Sequence, residues 1–187
     1  NNRMDWSASL AGSSDVTVAV MGISALIEGE EGAAISSAAN GDRNTISLPK
    51  NQIEYLKKLR KSAGDKPIVL VIKSGSAIDL SEISKYVDAI VYAWYLGEQG
   101  GNAIADVIFG DVNPGGKLPI TIPESLSHLP EYSNYNMDNR TYKFTNYQPM
   151  YPFGFGLSYS SFDYLSLSLK KHKIDIGGSI ELNFEAV

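Results

Sequence analysis

The chain has 187 residues, a formal net charge of −5 and 43% hydrophobic residues. That is enough apolar material for one medium-sized core and too much for a disordered chain. The interspersed, net negative charge argues against a nucleic-acid partner, which needs a basic face, and the absence of cysteine excludes disulfides, thiolate zinc sites and cysteine nucleophiles.

In chain order, the apolar run 16–22 (VTVAVMG) predicts a buried strand that ends in glycine. Residues 23–44 carry no firm period and read as a loop. Residues 49–63 predict a helix: Pro49 suits its first turn, Ile53, Leu56 and Leu59 fall near one face, and Gly64 suits its end. Lys57, Lys58, Arg60 and Lys61 crowd the last turns, where cations favour the helix dipole.

The run 67–73 (PIVLVIK) is almost continuously apolar, as a parallel strand covered on both faces would be. A short helix is predicted over 80–86, a third buried strand over 89–94, and a helix over 99–109 with Ala103, Ile104, Val107 and Ile108 facing inward. This alternation implies an α/β domain with a mostly parallel sheet in a three-layer sandwich.

The texture changes after Val112. A turn cluster, Asn113-Pro114-Gly115-Gly116, precedes a long ordered excursion over 118–156, rich in Pro, Tyr, Asn and Gly. Period-two alternation over 164–169 and 180–184 predicts two half-buried strands joined through Gly177-Gly178. A two-stranded piece is marginal alone, so it is read as the start of a truncated β-sandwich. The domain division expected is 1–158 and 159–187.

Four clusters can carry chemistry. Glu28, Glu30 and Glu31 put three carboxylates in the loop after the first strand, and α/β sheets place their sites at such strand ends. Mutual repulsion can raise one pKa, which a general acid needs; a solvated acidic loop is the bland alternative. Asp42-Arg43 can anchor a sugar hydroxyl or form a structural turn. The stretch 94–101 (WYLGEQGG) can be an anion site at a helix N-terminus. It is not GxGxxG and has no P-loop lysine, so a tight strand–helix turn is the reading preferred. The aromatic–glycine stretch 151–159 (YPFGFGLSY) can be a sugar-stacking platform, but aromatic glue between domains is preferred.

His128 and His172 lie far apart without motif spacing, so neither a metal site nor a cofactor is expected. No apolar run approaches the ~20 residues of a membrane span, and the first five residues show no signal-peptide pattern. The chain is read as beginning mid-protein.

Order and spacing together resemble the C-terminal domain of family 3 glycoside hydrolases. The family's Glu-x-Glu is matched by Glu28 and Glu30, its Asp-Arg by Asp42-Arg43, and its Leu-Pro-x-x-Gln by 48–52. Its Trp-Tyr-Pro-Gly-Glu/Gln-Gly-Gly turn is matched by 94–101, with Leu96 in place of the proline. Residues 105–119 match Ala-Asp-Val-Leu-Phe-Gly-Asp-x-Asn-Pro-x-Gly-Arg/Lys-Leu-Pro, and 151–159 match Tyr-Pro-Phe-Gly-x-Gly-Leu-Ser-Tyr. A run of ten residues separates Glu31 from Asp42, longer than in many members.

The resemblance implies an exo-acting, retaining β-glycosidase acting on xylo- or gluco-oligosaccharides. An N-terminal (β/α)8 barrel outside this chain would supply the aspartate nucleophile. This chain would supply the acid/base, Glu28, with Glu30 the runner-up, and Asp42 and Arg43 would bind substrate. The last segment would begin a fibronectin type III-like domain. The parent would be periplasmic or secreted, with no nucleic-acid or membrane partner. The alternative reading is a non-catalytic carbohydrate-binding or scaffold domain.

Overall fold

A computed structural model describes residues 3–29 and 39–187. The chain begins with helix α1 (Arg3–Leu10) and enters a parallel sheet of three strands in the order β1 (Thr17–Gly22), β2 (Ile68–Lys73), β3 (Ala89–Tyr92). The register sets Ala19 beside Leu70 and Leu70 beside Ile90. The central strand has the most continuous apolar run, and Ile68, Leu70, Val71 and Ile72 are fully buried. A strand covered on both faces has no polar side to show, which is why β2 does not alternate.

Helix α3 (Lys50–Ala63) follows a single helical turn, α2 (Ala25–Glu28). It buries Ile53, Leu56, Leu59 and Ala63, a stripe at three- and four-residue spacing. Leu56 is fully buried, worth about 1.5–3 kcal/mol relative to exposure. The helix stops at Gly64, which takes φ +62° and donates its N–H to Arg60 O at 3.0 Å. Arg60 then ties the helix end to its surroundings. Its guanidinium donates to the carbonyls of Gly64, Lys66 and Tyr86 and pairs with Asp88 at 2.5 Å. Asp88 also accepts the Ile68 N–H at 2.7 Å. One side-chain pair thus fixes the start of β2 against the approach to β3.

The α/β class and the separate small β element are as the sequence implies. Some details differ. The expected helix over 80–86 is only a 3-10 turn at Ser84–Tyr86. Helix α4 (Gly100–Phe109) forms, but its expected inward stripe is not buried: Ala103 is exposed, and Ile104, Val107 and Ile108 are half-buried. The period is present in the sequence, yet among the described residues nothing covers this face well enough to bury it.

Beyond α4, pairing replaces burial. The segment after Pro114 zips against the aromatic–glycine stretch: Leu118 N–H donates to Phe155 O, Gly154 N–H to Leu118 O, and Ile122 N–H to Tyr151 O, each at 2.8 Å. Asn113 Oδ1 accepts the Tyr159 N–H at 3.0 Å and the Ser158 hydroxyl at 3.1 Å. Lys117 Nζ donates to Gly156 O. Gly156 lies so close to the Gly116 carbonyl that a side chain has no room. Stacked rings of Tyr142 and Phe153, 4.2 Å between centroids, join a short turn, α5 (Thr141–Phe144), to this strip.

The last elements, β4 (Tyr164–Leu169) and β5 (Leu182–Ala186), pair antiparallel with an irregularity between Leu165 and Ser168. The second strand starts two residues later than the sequence implies. Every residue of both strands is exposed rather than half-buried. Alternation needs an opposing layer to bury one face, and the described chain presents none.

Candidate functional site

The site is built at the carboxyl ends of the three parallel strands. Strand β1 ends at Gly22, whose φ is +147° and whose Cα lies against the Lys73 backbone. A Cβ at this point would run into the Lys73 carbonyl oxygen. Gln52, on the first turn of α3, grips both backbone groups of Gly22. Its Oε1 accepts the Gly22 N–H at 2.9 Å, and its Nε2 donates to Gly22 O at 2.7 Å. The Leu-Pro-x-x-Gln spacing is therefore a clamp that fixes where β1 stops.

The chain leaves this clamp through Ile23, which is buried and donates its N–H to Lys73 O at 2.9 Å. It then turns once through α2. Gly29, at φ +73°, ends the turn and donates its N–H to Ala25 O at 3.0 Å. The sequence suggests an open loop here; the structure has a helical turn, short enough to leave no measurable period. Glu28 is its last residue and is half-buried.

Tyr95, three residues past the end of β3, meets Glu28. Its hydroxyl lies 2.9 Å from Glu28 Oε1 and 2.9 Å from Ile23 O. Trp94 takes φ +55°, a left-handed conformation that costs a non-glycine residue of order 1–3 kcal/mol. Gly75, just beyond β2, makes room for the ring: a Cβ there would stand 2.8 Å from Tyr95 Cε2. The ring is 48% exposed, yet its hydroxyl end is packed between the three strand ends. Burial, and then the Glu28 carboxylate, push the Tyr95 hydroxyl pKa upward. Both causes favour the proton-bearing form of the hydroxyl.

A second polar group adjoins the first. Arg43 Nη2 donates to Thr45 O at 2.9 Å, and Nη1 approaches Ser76 Oγ at 3.5 Å. Tyr92 donates its hydroxyl to Ser76 O at 2.6 Å. The Arg43 charge acts on both tyrosine hydroxyls, opposing the burial that raises their pKa values. The loop carrying Arg43 is fixed to the segment after β2 by the Asp79 N–H, which donates to Ile46 O at 2.7 Å.

The structure thus gathers Glu28 and Arg43 around Tyr95. Asp42 is an exposed residue of the same turn as Arg43. Glu30, the runner-up, and Glu31 lie outside the described residues. The stretch 94–101 is the strand–helix turn the sequence suggests, with Gly100 N–H donating to Gly97 O at 3.0 Å. The turn also carries Tyr95, which the sequence pattern does not single out. Its place just after a parallel strand is the available signal. The stretch 151–159 serves as a pairing strip within the chain.

An α/β domain with a carboxylate presented at its strand ends is the class these features define. The family model described as "Glycosyl hydrolase family 3 C-terminal domain" matches residues 2–159. The chain belongs to this family. It is 49% identical, over 76% of its length, to a xylan 1,4-beta-xylosidase of Xylanibacter ruminicola, of which it covers 16%. It is 35% identical, over 97% of its length, to a periplasmic beta-glucosidase of Salmonella typhimurium, of which it covers 24%. The solved beta-D-glucoside glucohydrolase of Trichoderma reesei superposes with a TM-score of 0.74 at 30% identity, over 89% of this chain and 24% of that one. The chain therefore spans a quarter or less of these relatives.

Proposed function

We propose that this chain is the acid/base-bearing domain of a retaining, exo-acting β-glycosidase, a β-xylosidase or β-glucosidase. The observation that carries this reading is the Glu28 carboxyl group, half-buried at the strand ends and held by Tyr95, in a chain of this family. In this reading an aspartate from an N-terminal (β/α)8 barrel of the same protein attacks the anomeric carbon. Glu28 protonates the departing oxygen and then takes a proton from the water that releases the sugar. A retaining mechanism sets the two carboxyl groups about 5–5.5 Å apart. Arg43, braced at Ser76 and Thr45, offers N–H donors to a sugar hydroxyl; Asp42 is a weaker candidate. A location in the periplasm or outside the cell, as the name of the Salmonella relative suggests, fits action on oligosaccharides.

The test is made in the full-length protein. Glu28→Gln should lower kcat/KM about 10²–10⁴-fold on aryl β-xylosides or β-glucosides with poor leaving groups. With a dinitrophenyl leaving group, which needs no proton, the loss should nearly vanish. Unchanged turnover of the poor-leaving-group substrates would end the assignment. Their loss in Glu30→Gln instead would move it by two positions. The 187-residue chain alone should not turn over either substrate, because the acid cannot replace the nucleophile.

A further inference from the structure

We infer that Tyr95 is a positioning residue that holds Glu28 by one oxygen and thereby assigns the other, Oε2, as the oxygen that carries the transferred proton. The inference rests on Glu28 being the acid/base. Glu28 Oε1 lies 2.9 Å from the Tyr95 hydroxyl. A hydroxyl has one proton to give, and Ile23 O, also 2.9 Å away, shares it. Both acceptors lie within the hydroxyl's reach, so its proton stays aimed at this corner.

An ionised Glu28 accepts this proton as a charge-assisted bond. A Glu28 protonated on Oε2 still presents Oε1 as a carbonyl-type acceptor. The same contact therefore survives both halves of an acid/base cycle, and no heavy atom needs to move between them. A free carboxyl group would rotate and could be protonated on either oxygen.

The support beneath Tyr95 is rigid. Its ring is set over Gly75, where a Cβ would stand 2.8 Å from Cε2. Its backbone is turned by the left-handed Trp94. Its second acceptor, Ile23 O, belongs to a buried residue whose own N–H is bonded to Lys73. Three strand ends thus converge on one hydroxyl, which is more architecture than a surface tyrosine needs.

The experiment compares Tyr95→Phe, Glu28→Gln and the double variant in the full-length protein. The substrates are phenyl and dinitrophenyl β-glycosides of the sugar the protein cleaves. Losing one positioning hydrogen bond should cost Tyr95→Phe about tenfold in kcat/KM on the phenyl substrate. The dinitrophenyl substrate should barely change, and adding Tyr95→Phe to Glu28→Gln should cost nothing further. Gly75→Ala, which displaces the ring but keeps the hydroxyl group, should reproduce the same substrate-selective loss. An equal loss on both substrates, or a full additive loss in the double variant, would show a merely structural tyrosine and overturn the inference. If Glu28→Gln is selective and Tyr95→Phe is not, only the inference fails. If Glu28→Gln itself shows no selectivity, the acid/base reading and the inference fall together.

Discussion

The two halves of this chain are held together by different physics. The described residues of 17–93 surround a buried strand and a helix stripe, and their order comes from apolar contact. Residues 111–187 bury little beyond Ile122 and Pro123. They keep their path through backbone pairing and through side chains, such as Asn113, that bond to the main chain. The most recognisable stretches of sequence, 105–119 and 151–159, largely belong to this second regime and pair with each other. The proposed chemistry belongs to the first, where a packed sheet can hold a carboxyl group steady at its edge. A distinctive motif is therefore a poor guide to where a reaction happens. Glycines and asparagines that make a backbone pairing possible are as constrained as catalytic groups.

The largest effect is expected at the junction between core and site. Gly22→Ala places a Cβ against the Lys73 carbonyl at a backbone φ that side chains rarely adopt. It should destabilise the protein by more than about 4 kcal/mol, the range of exceptional single changes. Calorimetry of the full-length protein reads this directly. A change under about 1 kcal/mol, the centre of ordinary substitutions, would mean that the two strands are not held at this distance.

A matched pair sharpens the contrast between the regimes. Leu70→Ala removes a fully buried side chain from the central strand and should cost about 2–5 kcal/mol. Leu167→Ala, in the exposed strand β4, should stay within about 0.5 kcal/mol. Equal costs would show that β4 is buried against something in the intact protein, and the two-regime division would then fail for the C-terminal hairpin.

The smallest effect concerns pH. The backbone N–H of Ile68, and then Arg60, hold the Asp88 carboxyl below the usual carboxylate range. A carboxylate with a depressed folded-state pKa stabilises the fold above its unfolded value of about 3.9. That contribution is lost as pH falls from there through the lower folded value. Asp88→Asn should flatten the acid side of the stability profile slightly, because the Asp88 side chain is about half exposed and solvent-screened. An unchanged acid slope in thermal melts between about pH 5 and 3, the window around that unfolded value, would remove Asp88 from the account.

Much of the fold is legible in the amino-acid sequence. The three strands and helix α3 stand within one or two residues of the apolar runs that announce them, because a buried strand and an amphipathic helix leave strong periods. Glu28 is legible as a candidate through its place after β1 and its family spacing. Tyr95 is not. Locally, only its place just past the end of β3 sets it apart from Tyr92, and its meeting with Glu28 spans 67 positions and depends on strand order. The inward face of α4 and the half-burial of β4 depart from expectation for one shared reason. Periodicity reports which side of an element could be covered, and only the rest of the protein decides whether it is.

In the proposed mechanism Glu28 supplies and removes the proton at a retaining site. Its most direct test is chemical rescue of Glu28→Ala in the full-length protein, with a dinitrophenyl β-glycoside and added azide. Without the base, the glycosyl-enzyme should form and stall. Azide needs no deprotonation and should then restore turnover, releasing a glycosyl azide of β configuration. Absence of any azide product and of any rate gain, or a product of α configuration, would contradict the account.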